Sequence, residues 1–431
     1  MGFQVGSEPQ DRRRVVITGH GAITPVGLTV DEFWASLVDG RSGISDIKGF
    51  DASDLPVRIG AEVKEFDPGV YMPHKVSRRI DVSTQYGVAA AMQAVQQAKL
   101  EVDEELAPRV GVYVGSSAGP ATMTYDTTIK LHERGARSVS PFFFATSGSE
   151  SSAGEIALWL GACGPSASLT TACASGATSI GEAMRLIQFG VADVMVAGGT
   201  EAPVTRLNIA AAAACRALSR RNDDPARACR PFDKDRDGFV MGAGAGILVL
   251  EEAEHARRRG ARVLAELVGY GATTDAYHLT APHPEGLGTK RAMRIALESG
   301  GLRPEDVDYV NAHGTSTELN DKSEIAALRD VLGERALQIP ISSTKSMTGH
   351  LISGTGAVEL IASVQAIRHG VVPPTLNCEV PEDARLNFVP SVAQKWDTDV
   401  VMSNSFGFGG HNAVLIVRRW EQEGSSATHA A

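Results

Sequence analysis

The chain has 431 residues, of which 43% are hydrophobic, 21% charged and 6% aromatic, and its formal net charge is −10. That balance describes a packed globular protein and excludes a disordered chain, a general nucleic-acid binder and a membrane-surface binder, so an acidic partner must meet a local basic patch. Five scattered cysteines without CxxC spacing exclude a disulfide framework and a zinc site, and fit a reducing cytoplasm. Residues 1–14 are polar and basic, with no apolar stretch and with Gly6 where a myristoylation signal needs Ser or Thr, so no targeting segment or membrane span is expected.

The length predicts two similar halves or two domains. Val15-Val-Ile-Thr-Gly-His-Gly-Ala-Ile-Thr-Pro-Val-Gly27 reads as a β-branched strand ending in a Gly/Pro turn, followed by a helix over 30–38. Lys75, Arg78 and Arg79 precede a helix at 83–98, then come a strand at 109–115, a loop opened by Pro141-Phe-Phe-Phe144 and a helix at 152–160. The stretch from Ser166 to Gly190 reads as a strand, a small-residue turn holding Cys173, and a helix. Its apolar residues Ile180, Ala183, Met184 and Ile187 recur at helical spacing, and Gly190 stops it. A thiol at a helix N-terminus meets unpaired N–H groups and the positive end of the macrodipole, both of which lower its pKa. The alternative is that Cys173 is a small buried hydrophobe. A strand at 193–200 follows, and this alternation predicts a mainly parallel sheet.

Asp233-Lys-Asp-Arg-Asp-Gly238 opens like a calcium loop, but its twelfth position is Gly244 where a bidentate Glu is required, which rejects the metal. Gly242-Ala-Gly-Ala-Gly246 is not GxGxxG and leads into a strand at 247–251, so close packing explains its small residues better. From about 261 the pattern restarts, with strands at 265–271, 309–312 and 339–343 and helices at 290–299 and 323–332. The run from Ser353 to Val371 then repeats the plan of the Cys173 helix. The predicted organisation is two halves, 15–260 and 261–420, between flexible tails 1–14 and 421–431. The two matching helices lack a polar face, carrying only Glu182 and Arg185 in one and Glu359 in the other before the last turn. Helices apolar all round belong between layers, which predicts two sheets with this pair sandwiched between them.

Three more stretches place reactive side chains at strand ends. Asn311-Ala-His-Gly-Thr-Ser-Thr317 carries His313, Ser342-Ser-Thr-Lys-Ser-Met-Thr-Gly-His350 carries Lys345 and His350, and Ser403-Asn-Ser-Phe-Gly-Phe-Gly-Gly-His-Asn412 is a Gly-rich loop. One histidine alone reads as readily as a core or surface residue, whereas two beside a cysteine form a constellation.

Thr171-Ala-Cys-Ala-Ser-Gly176, the His313 and His350 motifs and Asn404-Ser-Phe-Gly-Phe-Gly-Gly410 resemble, in order, the signatures of the elongating β-ketoacyl-acyl-carrier-protein synthases, the type II ketosynthases of the thiolase-like superfamily. The resemblance runs from about Val15 to Trp420. It implies a five-layered αβαβα sandwich of two pseudo-symmetric halves, dimeric as a homodimer or as a heterodimer with a chain-length-factor-like subunit. It also implies a decarboxylative Claisen condensation of an acyl-cysteine with malonyl-carrier that extends a fatty-acid, polyketide or polyene chain. Cys173 would take the acyl chain from the phosphopantetheine of an acyl carrier protein, and no metal or cofactor of the enzyme's own is implied. His313 and His350 would face the extender thioester, where N–H donors stabilise the enolate left by CO2 loss. Backbone N–H groups of Cys173 and Phe408 would hold the oxyanion, with Phe408 also the gate between the acyl and malonyl sides.

By the same resemblance, Lys345 would fix the tautomer and field of His350, with a structural ion pair to Glu359 or Asp321 equally open. Thr315 and Thr317 would bind pantetheine, Phe406 and Ala118 would line the substrate path, and Asn404 would support the site. A degradative thiolase would carry a second cysteine in the last loop, an initiating synthase would have Asn in place of His350, and an inactive chain-length partner would lack the nucleophile. A non-catalytic partner subunit of the same fold is the competing reading. Lys75, Arg78, Arg79, Arg137, Arg216, Arg220 and Arg221 are candidates for docking the acidic carrier, or plain solvated surface. Ala118 stands where a larger aliphatic residue usually lines the acyl pocket, and the dimer-facing wall around Glu150 is polar. Burying Glu150 unpaired costs several kcal/mol, so a substrate less plain than a saturated acyl chain is expected.

Overall fold

The computed structural model describes residues 12–421. The expected flexible tails fall mostly outside the described residues. At the N-terminal edge Arg13 donates to Asp193 at 2.7 Å and Arg14 to Glu266 at 2.8 Å, so the folded chain is anchored ahead of Val15.

The first half contributes β1 (Val15–Ile23), α1 (Val82–Ala98), β2 (Val110–Gly115), α2 (Ser151–Leu160), β3 (Ser166–Ala167), α3 (Ser175–Gln188), β4 (Val194–Glu201) and β5 (Gly244–Glu252). The second contributes β6 (Ala265–Thr274), α4 (Leu287–Ser299), β7 (Tyr309–Asn311), α5 (Glu318–Leu332), β8 (Ile341–Ser342), α6 (Thr355–His369), β9 (Val400–Gly407) and β10 (His411–Arg418). The strand order is β3-β2-β4-β5-β1 in one half and β8-β7-β9-β10-β6 in the other, the same plan used twice. Local chemistry sets these elements: the Asp81 side chain, for example, caps α1 by accepting from Ser83 N at 2.8 Å.

Helix α1 packs on β1, β5 and β4 from outside, while α3 lies on the opposite face of β4 and β2 and reaches β10 and β6. Helix α6 touches β5 and β9, and α4 covers β6 and β10 beside α5. These are the five layers of a thiolase-like α/β sandwich. The middle layer holds α3 and α6, and every residue of α6 from Thr355 to Ile367 is buried. The few charges there are matched: Glu182 pairs with Arg185 at 2.7 Å and accepts from the Tyr270 hydroxyl of β6, and Glu359 pairs with Lys345. Small residues bring the two helices into backbone contact, since a Cβ on Gly176 would sit 2.4 Å from the Ser353 carbonyl oxygen. A Cβ on Gly246 would sit 2.7 Å from Val358 N, which is the close packing expected of that glycine run.

Three expectations are corrected. The sheet is mixed, because β4 and β5, β5 and β1, β9 and β10, and β10 and β6 pair antiparallel. The turn Phe408–Gly410 joins β9 to β10 as a hairpin, and a short connection permits no parallel pairing. The two expected sheets are joined along one edge, where Val15, Val16 and Ile17 pair with Leu267, Glu266 and Ala265 and make one ten-stranded sheet among the described residues. The strand before Cys173 is only Ser166–Ala167, and the chain leaves the sheet edge there to form the turn.

Candidate active site

Cys173 lies between the end of β3 and the start of α3, on a turn in which Ala172 takes φ 50°. Ser175 locks this elbow, its hydroxyl accepting from Thr171 N at 2.9 Å and donating to the Ala172 carbonyl at 2.6 Å. The end of β9 comes close because residue 407 is glycine: a Cβ there would lie 3.0 Å from Cys173 N and 2.7 Å from Thr171 O. Cys173 is 8% exposed. Burial pushes its thiol up to about 11, against the backbone N–H of Phe408, the Lys345 charge and its own N–H, which pull the other way. The lowered pKa expected from the helix terminus is therefore corrected, because desolvation outweighs the N–H groups that do surround the sulfur.

His313 and His350 follow β7 and the short helix Lys345–Thr348, and their rings meet edge to face with centroids 5.4 Å apart. Burial, then the charge of Lys345, holds both imidazoles well below 6.5, so both are neutral at physiological pH. Lys345 is fully buried behind them, donating to the His313 carbonyl and, at 2.6 Å, to Glu359. This decides the ion-pair question in favour of Glu359; Asp321 instead lies 3.6 Å from Arg236 and accepts from the Phe232 and Thr315 N–H groups. Burial raises Glu359 to about 7 against the pull of Lys345. The hydrogen bond expected to fix the His350 tautomer does not come from Lys345: His350 Nδ1 lies 3.0 Å from the Thr355 hydroxyl. Lys345 acts on His350 by its field alone.

Glu324 clamps the His313 loop, accepting from His313 N at 2.8 Å, Gly314 N at 2.7 Å and Asn404 Nδ2 at 3.0 Å. Burial raises it to about 7. Neither Glu324 nor Thr355 was expected from the sequence. A signal for Glu324 existed, since Asp321 and Glu324 fall on the same helical face as Ile325 and Leu328, where a carboxylate must find partners.

One cavity of about 510 Å³ is lined by Cys173, His313, His350, Thr315, Thr317, Phe406, Phe408 and Arg216. Thr315 and Thr317 share a hydroxyl contact of 2.9 Å on its wall, and Phe408 is 45% exposed at its edge. Ala118, expected in the acyl path, is exposed in the single chain and is not among the residues lining this cavity, although its neighbour Ser117 is; both N–H groups are held by the buried Glu201. Glu150 is also exposed in the single chain, so the burial penalty that argued for an unusual substrate does not arise within it. Among the basic candidates Arg216 lines the cavity, and Lys75, Arg78, Arg137 and Arg220 are exposed. Arg79 is tied to Glu155 at 3.0 Å, and Arg221 donates to the Asp235 carbonyl at 2.6 Å, which leaves both less available. Asp233 of the rejected calcium loop accepts from Glu379 and Val380 N–H groups.

The family model for the beta-ketoacyl synthase N-terminal domain matches residues 12–256, and that for the C-terminal domain matches 264–379. The chain is 48% identical over 412 residues to the 3-oxoacyl-[acyl-carrier-protein] synthase 2 of Synechocystis sp., covering 95% of this chain and 99% of that protein. Among solved structures it resembles "The ishigamide ketosynthase/chain length factor" with TM-score 0.89 and 37% identity, covering 95% of this chain and all of that one. It also resembles a "type II PKS acyl-carrier protein in complex with its ketosynthase bound to the hexaketide", with TM-score 0.88 and 33% identity over 95% of this chain and 100% of that chain.

Proposed function

We propose, since the chain belongs to the β-ketoacyl synthase family, that Cys173 is the nucleophile and that His313 and His350 serve the extender half of the reaction. The protein is an elongating ketosynthase, an acyltransferase that forms a carbon–carbon bond between an acyl thioester and malonyl-carrier. The observation that carries the residue roles is the single cavity onto which a thiol and two neutral imidazoles open.

The steps follow from that arrangement. Cys173 attacks the acyl thioester; its S–C bond forms, the pantetheine S–C bond breaks, and the thiol proton leaves with the pantetheine sulfur. His313, whose Nδ1 has no partner among the described residues, can relay that proton. Malonyl-carrier then loses CO2, and the imidazole N–H groups stabilise the enolate oxygen. The enolate carbon attacks the acyl carbonyl, whose oxyanion is taken up by the N–H groups of Cys173 and Phe408, the two that already reach the sulfur. Collapse breaks the Cys173 S–C bond, releases the 3-oxoacyl product and leaves a thiolate that takes up one proton from solvent to restore the thiol. Nothing in the sequence of steps needs a metal or a cofactor of the enzyme's own, because the carrier's pantetheine brings both substrates.

The substrate carrier is an acyl carrier protein, and Arg216 at the cavity wall, with Arg220, offers its acidic surface a first contact. A second chain covers the face where Phe144 is 95%, Leu158 75% and Phe142 54% exposed, beside the edge strand β3. This is a second copy or a chain-length partner, the latter supported by the ishigamide pair. The name of the Synechocystis relative specifies a 3-oxoacyl-carrier product without its chain, which leaves a fatty-acid chain as one reading, and the type II PKS ketosynthase bound to the hexaketide supports a polyketide chain as the other. Five unpaired thiols support a cytoplasmic setting; no described helix is long and apolar enough to cross a membrane.

The test is a reconstituted condensation with defined acyl- and malonyl-carrier proteins. The wild type is expected to form the 3-oxoacyl-carrier and CO2, and Cys173→Ala to form no 3-oxoacyl product. Condensation by Cys173→Ala at the wild-type rate would overturn the assignment.

A further inference from the structure

The two imidazoles of the site are held differently. His313 Nδ1 has no hydrogen-bond partner among the described residues, whereas His350 Nδ1 lies 3.0 Å from Thr355 Oγ1 and its Nε2 has none. The His350 ring is also fixed in orientation, edge to face with Phe239 at 5.3 Å and with His313 at 5.4 Å. A neutral imidazole carries one N–H, and a hydroxyl can donate to Nδ1 or accept from it, so these contacts alone leave two tautomers.

Hydrogen-bond accounting separates them. Thr355 is 2% exposed, at the first turn of α6, and its hydroxyl makes no other hydrogen bond among the described residues. With the ring proton on Nδ1, the Thr355 O–H would be buried without an acceptor, and a lone pair would face the cavity. With Thr355 donating, the hydroxyl is satisfied and the remaining ring proton sits on Nε2, directed at substrate. We propose that Thr355 is a positioning residue that donates its hydroxyl proton to His350 Nδ1 and so fixes His350 as an Nε2–H donor. His313 Nδ1 has no such partner among the described residues, so no comparable contact fixes which of its nitrogens carries the proton.

The inference rests on the function proposed above only for what the donor serves; the tautomer itself is a property of the free enzyme. It is tested on full-length protein labelled with ¹⁵N-histidine, the His350 signals being identified by their loss in His350→Gln. The wild type is expected to show His350 protonated at Nε2 alone, and Thr355→Val to show both tautomers. In steady-state condensation Thr355→Val should lower kcat about tenfold, the worth of one hydrogen bond in the transition state, with Thr355→Ser restoring both spectrum and rate. KM for malonyl-carrier should move by about twofold or less, since a misplaced proton is felt in the transition state rather than in binding. A wild-type His350 protonated at Nδ1, or a Thr355→Val enzyme with an unchanged spectrum and full kcat, would overturn the proposal. Should the valine variant fail to fold, the wild-type spectrum decides alone. An Nε2–H signal in a protein that never condenses would instead refute the function and leave the tautomer assignment standing.

Discussion

At the scale of residues, the site is built from groups whose protonation is set by burial. Cys173, pushed up to about 11, is a thiol at neutral pH, so its reactivity comes from proton relay and from the N–H groups around it rather than from a resting thiolate. Alkylation of Cys173 by iodoacetamide should therefore rise about tenfold per pH unit from pH 7 to pH 9 without levelling off; a plateau near pH 7 would show that the helix terminus wins after all. Lys345 and Glu359 form a buried pair with almost no exposed surface. Glu359→Ala leaves the ammonium without its carboxylate and should lower the unfolding free energy in urea by about 3–5 kcal/mol, while a loss below about 1 kcal/mol would mean the pair is not held in the folded protein. Cys173, His313, Lys345 and His350 were legible in the sequence because each stands in a short glycine- or small-residue-rich motif. Thr355 was not, because nothing in a single chain reveals that a helix-start hydroxyl will face a histidine, and Glu324 left only the trace of a carboxylate on an apolar helix face, which does not say what it binds. The raised thiol pKa is illegible for a related reason: sequence locates a helix terminus, but not the desolvation imposed by residues far away along the chain.

At the scale of elements, periodicity identified the layer-forming helices but missed Ala121–Arg134 and Arg206–Ala214, the first with no buried residue and the second a run of alanines, neither of which carries an apolar stripe. Helix α1 starts at Val82 because Asp81 caps it, and α5 begins at Glu318, where Arg236 binds the carbonyls of Thr317 and Glu318. The absence of a polar face on α3 and α6 correctly implied a middle layer. What it could not convey is how tightly their N-termini cross, since glycine contacts between elements leave no periodic trace. Gly176→Ala would drive a Cβ against the Ser353 carbonyl, 2.4 Å away. The backbone must shift to relieve this, at an expected cost of about 1–3 kcal/mol. Because Cys173 lies one turn upstream, the same variant should also acylate more slowly than the wild type when the adduct is followed by intact mass. Unchanged stability together with unchanged acylation would contradict the crossing described here.

At the scale of the whole molecule, duplication was readable as a repeated order of strands and helices, yet the join between halves was not. Three residue pairs between β1 and β6 turn two sheets into one, and an edge pairing of that length is set by where the edges meet rather than by any motif. The core that fills the middle layer carries a pH liability. His20 on β1 is held down to about 4, chiefly by burial. The unfolded chain takes up that proton below about pH 6.5 while the folded chain resists it, so stability is lost as pH falls from 6.5 toward 4, by up to about 3 kcal/mol from this group. His20→Gln should flatten the pH dependence of the urea midpoint relative to the wild type, and parallel curves for the two proteins would contradict it. His313 and His350 act in the same direction, which ties acid sensitivity to the site itself. The claim on which the account turns is that Cys173, His313 and His350 serve one thioester in one cavity, and the most direct measurement is an acyl chase followed by intact-protein mass. Acyl-carrier should load Cys173 in the wild type and, more slowly without the His313 proton relay, in the His313→Ala/His350→Ala double variant, and malonyl-carrier should discharge the adduct as 3-oxoacyl product in the wild type alone. Discharge of the double variant at the wild-type rate, or an adduct on any residue other than Cys173, would contradict it.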